Sequence, residues 1–222
     1  MKKRAVNWPE AIQPLLDKYE HAPHPLHAKN LYQFMVMVVL AAQTTDAIVN
    51  QAAPGLFKAV PDMKALSAAT PESLIPLLTK VRNFRNKAKW LTAIGRELKT
   101  DDRIPRSMAA LTHLPGIGRK SANVLLRQAG LPPEGIVVDV HVLRVAPRLG
   151  IASGEDATKI EKELMAVLPP RQWDAGMAMS FLGREICRPA PECSRCLMNA
   201  VCAFYHSNPP VRPRGGKPKK ST

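Results

Sequence analysis

Hydrophobic residues recur every three or four positions in almost every segment of this chain, which is the spacing of amphipathic α-helices. Residues 31–42 are nearly all apolar, and this run predicts a core helix that Asn30 caps. No segment alternates convincingly between apolar and polar residues. Residues 135–138 are the one strand-like candidate, and that run is too short for a strand. The pattern therefore predicts an all-α fold.

Capping residues, prolines and glycines divide the rest of the chain into further predicted helices. They cover approximately residues 9–19, 46–57, 70–80, 86–98, 107–112, 118–129, 139–147, 156–168 and 172–186. A break at Pro132-Pro133 predicts two lobes, with a middle block over residues 23–132 and a C-terminal block over residues 133–206. We expect residues 1–22 to form an N-terminal helix that packs on the C-terminal block. Residues 207–222 are rich in Pro, Gly and Lys and are predicted to be a disordered basic tail.

The charge balance of the chain indicates a polyanionic partner. The chain has 32 Lys and Arg against 18 Asp and Glu, which gives a net charge of +14. This excess points to nucleic acid, although a generally basic soluble protein would share it. The longest apolar run falls short of the ~20 residues that span a bilayer. No export signal is visible near the N-terminus, and we expect no membrane association and a cytoplasmic location.

The cysteines form one compact group near the C-terminus. The spacing is C-x5-C-x2-C-x5-C, and the four residues are Cys187, Cys193, Cys196 and Cys202. This grouping predicts a thiolate cage for iron–sulfur or zinc. One C-x2-C knuckle flanked by two lone cysteines favours a [4Fe–4S] cluster over structural zinc, which usually has two such knuckles. Two disulfides are disfavoured because no secretory segment is visible.

The segment Leu114-Pro-Gly-Ile-Gly-Arg-Lys120 predicts a tight hairpin between two helices. Gly116 and Gly118 allow positive φ and a close approach of a ligand, and the amides that follow can bind a phosphate. Arg119 and Lys120 directly after this turn favour a grip on a nucleic-acid backbone. Lys120 lies in the first helical turn, where the macrodipole disfavours a cation. It is therefore a candidate amine nucleophile, or else a lysine that pairs with phosphate.

A second candidate site follows in the apolar segment around Asp139 and His141. Asp139 stands before a predicted helix, and the simplest interpretation is an N-cap. A partly buried carboxylate could instead stabilise a developing positive charge. His141 has an ordinary helical position as its simplest interpretation. The residues alone therefore leave two questions open: whether Lys120 is a nucleophile or a phosphate partner, and whether Asp139 is a cap or a charge-stabilising group.

Taken together, four motifs resemble the endonuclease III family of iron–sulfur DNA glycosylases, which have a helix-hairpin-helix and a Gly-Pro-Asp loop. The motifs are LPGIGRKSANVLL at 114–126, VVDVHVLRVAPRLG at 137–150, the spaced cysteines, and the upstream pair LAAQTTD at 40–46 and NKA at 86–88. The resemblance extends over essentially the whole chain except the tail. It implies a six-helix barrel with the hairpin, an iron–sulfur cluster domain, and an active-site cleft between the two lobes.

The resemblance also implies roles for individual residues. Lys120 would attack the sugar of a flipped-out damaged nucleotide, form a Schiff base and cut the strand by β-elimination, and Asp139 would stabilise the sugar cation. The substrates would be oxidised pyrimidines or abasic sites in double-stranded DNA, bound by a monomer associated with the bacterial nucleoid. The remaining residues implied to contact DNA are Gln43, Asn83, Gly116, Gly118, Arg119, His141 and Arg184. The four cysteines would hold a [4Fe–4S] cluster that orders a basic loop.

Some positions depart from the pattern of the family. The first gap between cysteines is one residue shorter than usual, which could weaken a DNA contact. Asn83 replaces an apolar wedge, Ala41 replaces a pocket serine, and Pro147 falls where a helix usually continues. These changes leave a non-catalytic or weakly active damage-sensing homologue with altered lesion preference as the alternative function. A zinc-bound structural module is a third possibility.

Overall fold

The computed structural model describes residues 6–208, and this part of the chain consists of α-helices and short 3₁₀ turns without any β-strand. The all-α prediction is therefore confirmed. The helices are α1 (Trp8–Ala11), α2 (Gln13–Tyr19), α3 (Leu31–Ala41), α4 (Asp46–Ala59), α5 (Met63–Ala68), α6 (Pro71–Leu74), α7 (Phe84–Leu98), α8 (Met108–His113), α9 (Arg119–Gln128), α10 (Val142–Leu149), α11 (Ala157–Val167), α12 (Ala175–Glu185) and α13 (Ala203–Ser207).

The chain divides into two compact units. One unit is residues 21–137, and the other combines the N-terminal residues up to Glu20 with the residues from Val138 onward. Their limits lie within a few residues of the predicted breaks at 22 and 132. The assignment of these units as a barrel domain and a cluster domain stays a prediction. The predicted disordered tail lies outside the described residues beyond Asn208, whereas Ser207 still belongs to α13.

The core of the 21–137 unit is built around α3. Asn30 caps this helix by accepting from the backbone N–H of Gln33, as the sequence predicts. Every residue from Phe34 to Leu40 is buried, because α4, α7 and α9 all pack against α3. A helix that is apolar on every side is typical of such a central position.

Two elements of this unit differ from the predictions. The pattern did not predict α5, a short helix that Asp62 caps and that packs closely on α7. The approach is close enough that a Cβ on Gly95 would lie 2.8 Å from the Leu66 backbone. The predicted helix over residues 70–80 was too long. It ends at Leu74 and continues only as a 3₁₀ turn over Ile75–Leu77, because Pro76 lacks a backbone donor.

The second unit is organised around α12, which packs on α2 and α10. The N-terminal helices are fixed to it by polar contacts as well as by apolar burial. Gln172 Nε2 donates to the carbonyl of Pro9 at 2.7 Å and to Gln13 Oε1 at 3.0 Å. Lys18 forms an ion pair with Glu185 at 3.1 Å. No described helix is long and apolar enough to cross a bilayer.

Candidate functional site

The predicted hairpin joins α8 and α9, and two buried side chains anchor it. Leu114 and Ile117 are 2% and 4% exposed, and the Ile117 N–H donates to the Leu114 carbonyl at 3.2 Å. Gly116 has φ +79°, and a Cβ there would lie 2.6 Å from the Trp90 ring. Both the positive φ and this close approach require glycine at position 116.

Gly118 differs from Gly116 in its backbone conformation. Its φ is −91° with extended ψ, so of the two hairpin glycines only Gly116 uses the positive φ that glycine allows. A Cβ on Gly118 would meet no atom within 4 Å. Gly118 is the N-cap of α9 and has no side chain to occupy the first amides of the helix. The space in front of these amides suits a phosphate group.

Lys120 and Arg119 are exposed in the first turn of α9. Lys120 is therefore accessible to solvent, one residue into the helix that follows the hairpin. Arg119 also has a structural contact, because its Nη2 donates to the carbonyl of Glu134 at 2.6 Å. Asn123 supports the same loop from within α9, with its Oδ1 accepting from the Glu134 N–H at 2.8 Å.

Asp139 lies in the other unit and is both a cap and a buried charge. Its Oδ1 accepts from the backbone N–H groups of His141 and Val142 at 2.8 and 2.9 Å, which orders the start of α10. Its Oδ2 accepts from Ser180 Oγ at 2.6 Å and lies 3.8 Å from Arg184 Nη2. The side chain is 10% exposed. Asp139 is therefore a cap, and the same contacts fix its carboxylate beside Arg184, while its role at a developing positive charge stays a prediction.

His141 is fixed from two directions. A Cβ on Gly183 would lie 2.8 Å from the His141 Cβ, so α10 and α12 meet here without room for a larger residue. Arg144 Nη2 lies 3.2 Å from His141 Nδ1, and the same guanidinium donates to the carbonyls of Gly183 and Cys187 at 2.9 Å each. Arg144 thus connects the segment that begins at Asp139 with the first cysteine.

Gln43 and Asn83 lie in the same unit as the hairpin. Gln43 comes two residues after the end of α3, and Asn83 directly precedes α7. Both side chains are exposed, and both residues have left-handed φ, at +57° and +59°. Such values are uncommon for residues other than glycine. The turns that contain them are connected through Thr44, whose Oγ1 accepts from the Arg82 N–H at 3.2 Å. The structure therefore brings these two predicted DNA contacts close to one another.

The four cysteines form no disulfide with one another, and all four line one pocket. Its walls include apolar side chains of α10, α12 and α13, among them Leu149, Leu182 and Phe204. Arg148 frames the cavity. Its guanidinium lies 3.5 Å from Cys187 Sγ and donates to the carbonyl of Arg188 at 2.7 Å, and its own carbonyl accepts from Cys202 Sγ at 3.3 Å.

The chemistry of these thiols fits a soft metal centre. Burial raises the pKa values of Cys193 and Cys196, which favours the protonated thiol at these two positions unless a positive centre is bound. A bound cluster would supply that positive charge. Within residues 6–208, no three His, Cys, Asp or Glu side chains are grouped so as to hold a metal ion. The cluster therefore stays a prediction.

Two residues around these sites were missed by sequence reasoning. Ser180 and Lys87 are among the few buried polar residues of the described chain, at 2% and 1% exposure. Ser180 fixes the Asp139 carboxylate, and Lys87 supports the turn around Gln43. The spacing of Ser180 four residues before Arg184 could have suggested a shared partner. No local signal marked Lys87 as buried.

Comparison with known proteins agrees with this arrangement. Endonuclease III of Synechocystis sp. is 34% identical over 90% of this chain and 92% of its own length. Endonuclease III of Bacillus subtilis is 35% identical over 84% of this chain and 87% of its own. The structure of a trapped endonuclease III–DNA covalent intermediate matches with a TM-score of 0.80 and 30% identity, covering 92% of this chain and 99% of that one.

A thermostable thymine-DNA glycosylase superposes with a TM-score of 0.75 at 17% identity, which shows the shared fold alone. The family model described as HhH-GPD superfamily base excision DNA repair protein matches residues 36–170. That range includes the hairpin, Lys120 and Asp139, and it accounts for more than half of the chain. The chain therefore belongs to the HhH-GPD superfamily of base excision DNA repair proteins.

Proposed function

We propose that this protein is a bifunctional DNA glycosylase and abasic-site lyase that acts on oxidised pyrimidines in double-stranded DNA. The observation that carries the proposal is the exposed Lys120 directly after the glycine hairpin, in a member of this superfamily. The family resemblance implies that relatives without an amine at this position release the base but lack the lyase activity that cuts the strand. The likeness to an endonuclease III trapped as a covalent intermediate with DNA supports an amine nucleophile.

The reaction would proceed through a covalent bond to the sugar. The lone pair of the Lys120 amine attacks C1′ of the flipped nucleotide, and the bond from C1′ to the base breaks with its electrons leaving on the base. Opening of the sugar ring gives an iminium, the protonated Schiff base. Loss of a proton from C2′ then breaks the C3′–O bond, which cuts the strand on the 3′ side of the lesion.

Asp139 would stabilise the positive charge that develops on the sugar as the base departs. Two backbone amides and Ser180 hold its carboxylate in place, so little reorganisation is needed during the reaction. Arg184 Nη2 lies 3.8 Å from the same carboxylate. The proposal requires that Asp139 and the Lys120 amine reach the same deoxyribose when DNA is bound.

The other predicted residues would hold the DNA. The amides after Gly116 and Gly118 would bind a phosphate, and Arg119 would add positive charge beside it. Gln43 would fill the gap that the flipped base leaves. Asn83, His141 and Arg184 are proposed to contact the DNA around the lesion. The partner would be double-stranded DNA with damaged bases or abasic sites, bound by a monomer associated with the bacterial nucleoid.

We also propose that Cys187, Cys193, Cys196 and Cys202 bind a [4Fe–4S] cluster. Four free thiols around one cavity, with Arg148 beside Cys187, support this ligand set. The cluster would supply a cross-link that orders the segment around the cysteines and no bond-breaking chemistry. A zinc site would give a colourless protein, whereas iron–sulfur gives visible charge-transfer absorbance together with acid-labile sulfide.

Strand cleavage of a duplex with a single thymine glycol tests the enzymatic proposal. We expect a product whose 3′ end carries the unsaturated aldehyde of β-elimination, and no cleavage of the matched undamaged duplex. Release of the base without strand cleavage would indicate a glycosylase that lacks the lyase step. Binding to the damaged duplex without any reaction would support the non-catalytic alternative instead.

A further inference from the structure

Lys87 is a buried cation in α7 with uncharged hydrogen-bond partners. Its side chain is 1% exposed, and its ammonium donates to the Leu40 carbonyl at 2.7 Å, the Ala42 carbonyl at 2.6 Å and Thr44 Oγ1 at 3.0 Å. Removal of an ammonium from water is unfavourable unless its donors are satisfied. Here three donors meet three acceptors, which matches the capacity of the group.

The two carbonyls lie at the C-terminal end of α3, where backbone acceptors lack donors within the helix. A cation at this end also interacts favourably with the negative end of the helix macrodipole. Lys87 therefore terminates α3 from a different helix. The helix α3 ends at Ala41, so the Ala42 carbonyl that Lys87 binds lies just beyond it. The next residue is Gln43, which has φ +57°.

Thr44 extends this contact to a second turn. Its Oγ1 accepts from both the Lys87 ammonium and the Arg82 backbone N–H. The residue after Arg82 is Asn83, with φ +59° and ψ +32°. Left-handed conformations at residues other than glycine are unfavourable and persist only where surrounding contacts impose them. One ammonium thus supports both strained turns.

We infer that Lys87 is a positioning residue, which holds the turns of Gln43 and Asn83 in the arrangement needed to extrude and replace a damaged base. This inference rests on the proposed function, since it gives these two residues their contacts with DNA. It adds a residue that touches neither the DNA nor the reacting sugar. Its effect is confined to the step in which a base leaves the stack.

Charge is essential to this role. Burial and, to a smaller extent, the positive charge of Arg82 together lower the pKa of Lys87 to about 8. A neutral amine offers two donors where the ammonium offers three, and its lone pair faces oxygen atoms. Above about pH 8 the neutral amine therefore forms at most two of the three hydrogen bonds.

The test compares Lys87→Met with Lys89→Met, which removes an exposed lysine from the same helix. Single-turnover rates are measured on a thymine-glycol duplex and on a duplex with a preformed abasic site, which has no base to unstack. We expect Lys87→Met to slow thymine-glycol excision by about tenfold or more, the effect of a lost charged hydrogen bond. Cleavage at the abasic site should fall by less than about threefold, because less extrusion is needed.

The two substrates separate positioning from simple loss of packing, because lost packing would slow thymine-glycol excision and abasic-site cleavage alike. The inference is wrong if Lys87→Met matches Lys89→Met on thymine glycol, or slows both substrates equally.

Thr44→Val provides a second variant in case Lys87→Met does not fold. It keeps the shape of the side chain and removes the oxygen shared by Lys87 and Arg82. We expect the same selectivity for thymine glycol over the abasic site, with a smaller loss. Wild-type excision by Thr44→Val would overturn the inference. An inactive wild-type protein would overturn the proposed function itself, and the inference with it.

Discussion

In the 21–137 unit, the hairpin and the turns at Gln43 and Asn83 reach positive φ by different means. The hairpin at residues 114–118 uses Gly116, and its own buried residues Leu114 and Ile117 hold it in place. The turns at Gln43 and Asn83 use residues with side chains, and a lysine from α7 supports them. One turn is stable by local means, whereas the other two depend on a distant charge.

This difference matches the tasks that we assign to the turns. In the proposed function the hairpin would present its backbone to a phosphate, for which a rigid glycine turn without side chains is sufficient. The other turns would present side chains to a base pair, which glycine could not do. The strain of these side chains in left-handed conformations is offset by the buried contacts of Lys87.

The largest expected effect tests the chemistry beside the hairpin. Lys120→Gln removes the amine while its turn stays intact, so single-turnover strand cleavage should fall by about a thousandfold or more. DNA affinity, measured by fluorescence anisotropy, should change by less than about threefold because glutamine still donates a hydrogen bond. Cleavage at the wild-type rate would identify another amine as the nucleophile.

The glycine turn itself should be intolerant of a side chain. Gly116→Ala combines a positive φ with a Cβ 2.6 Å from Trp90, so we expect the free energy of unfolding to fall by about 3 kcal/mol. Urea denaturation measures the change. Gly55→Ala is the matched control, because Gly55 lies inside α4 without any neighbouring atom within 4 Å. It should stabilise the protein by about 0.5–1 kcal/mol.

The charge-supported turns should carry a signature in the pH dependence of stability. The folded pKa of Lys87, about 8, lies below the ordinary value of 10.5, so between these values the unfolded chain binds the extra proton. The free energy of unfolding should therefore rise with pH across this window, by up to about 3 kcal/mol at 1.4 kcal/mol per pKa unit. Below about pH 8 Lys87 is protonated in both the folded and the unfolded chain, so it contributes no pH dependence to the free energy of unfolding.

The difference between wild type and Lys87→Met isolates that slope from other titrating groups. Urea denaturation at several pH values between 7 and 10 measures it. A difference that stays constant or decreases with pH would show that the buried ammonium keeps its proton, and would contradict the lowered pKa of Lys87.

The smallest expected effect concerns the backbone at Asn83. Asn83→Ala should lower the free energy of unfolding by about 1 kcal/mol, because alanine tolerates the left-handed region less well than asparagine. Asn83→Gly removes the same side chain without that penalty and should remain within about 0.5 kcal/mol of wild type. If both variants lose the same free energy of unfolding, the lost hydrogen bond from the Asn86 side chain accounts for the effect, and the left-handed backbone does not.

The same contrast explains what the sequence could predict. The hairpin, the cap at Asn30 and the buried helix α3 depend on neighbouring residues, and all three were recognised from local pattern. The helix from Thr70 ended early because Pro76 outweighs its cap. Lys87 and Ser180 were missed because their partners lie far away along the chain, and only the folded backbone brings them together.

Borohydride reduction tests the central claim most directly. The holoprotein is mixed with a thymine-glycol duplex and reduced, and the covalent adduct is digested and sequenced by mass spectrometry. The account predicts a reduced Schiff base on the Lys120 side chain, and no adduct with Lys120→Gln. An adduct on another residue, or none while the duplex remains bound, would contradict it.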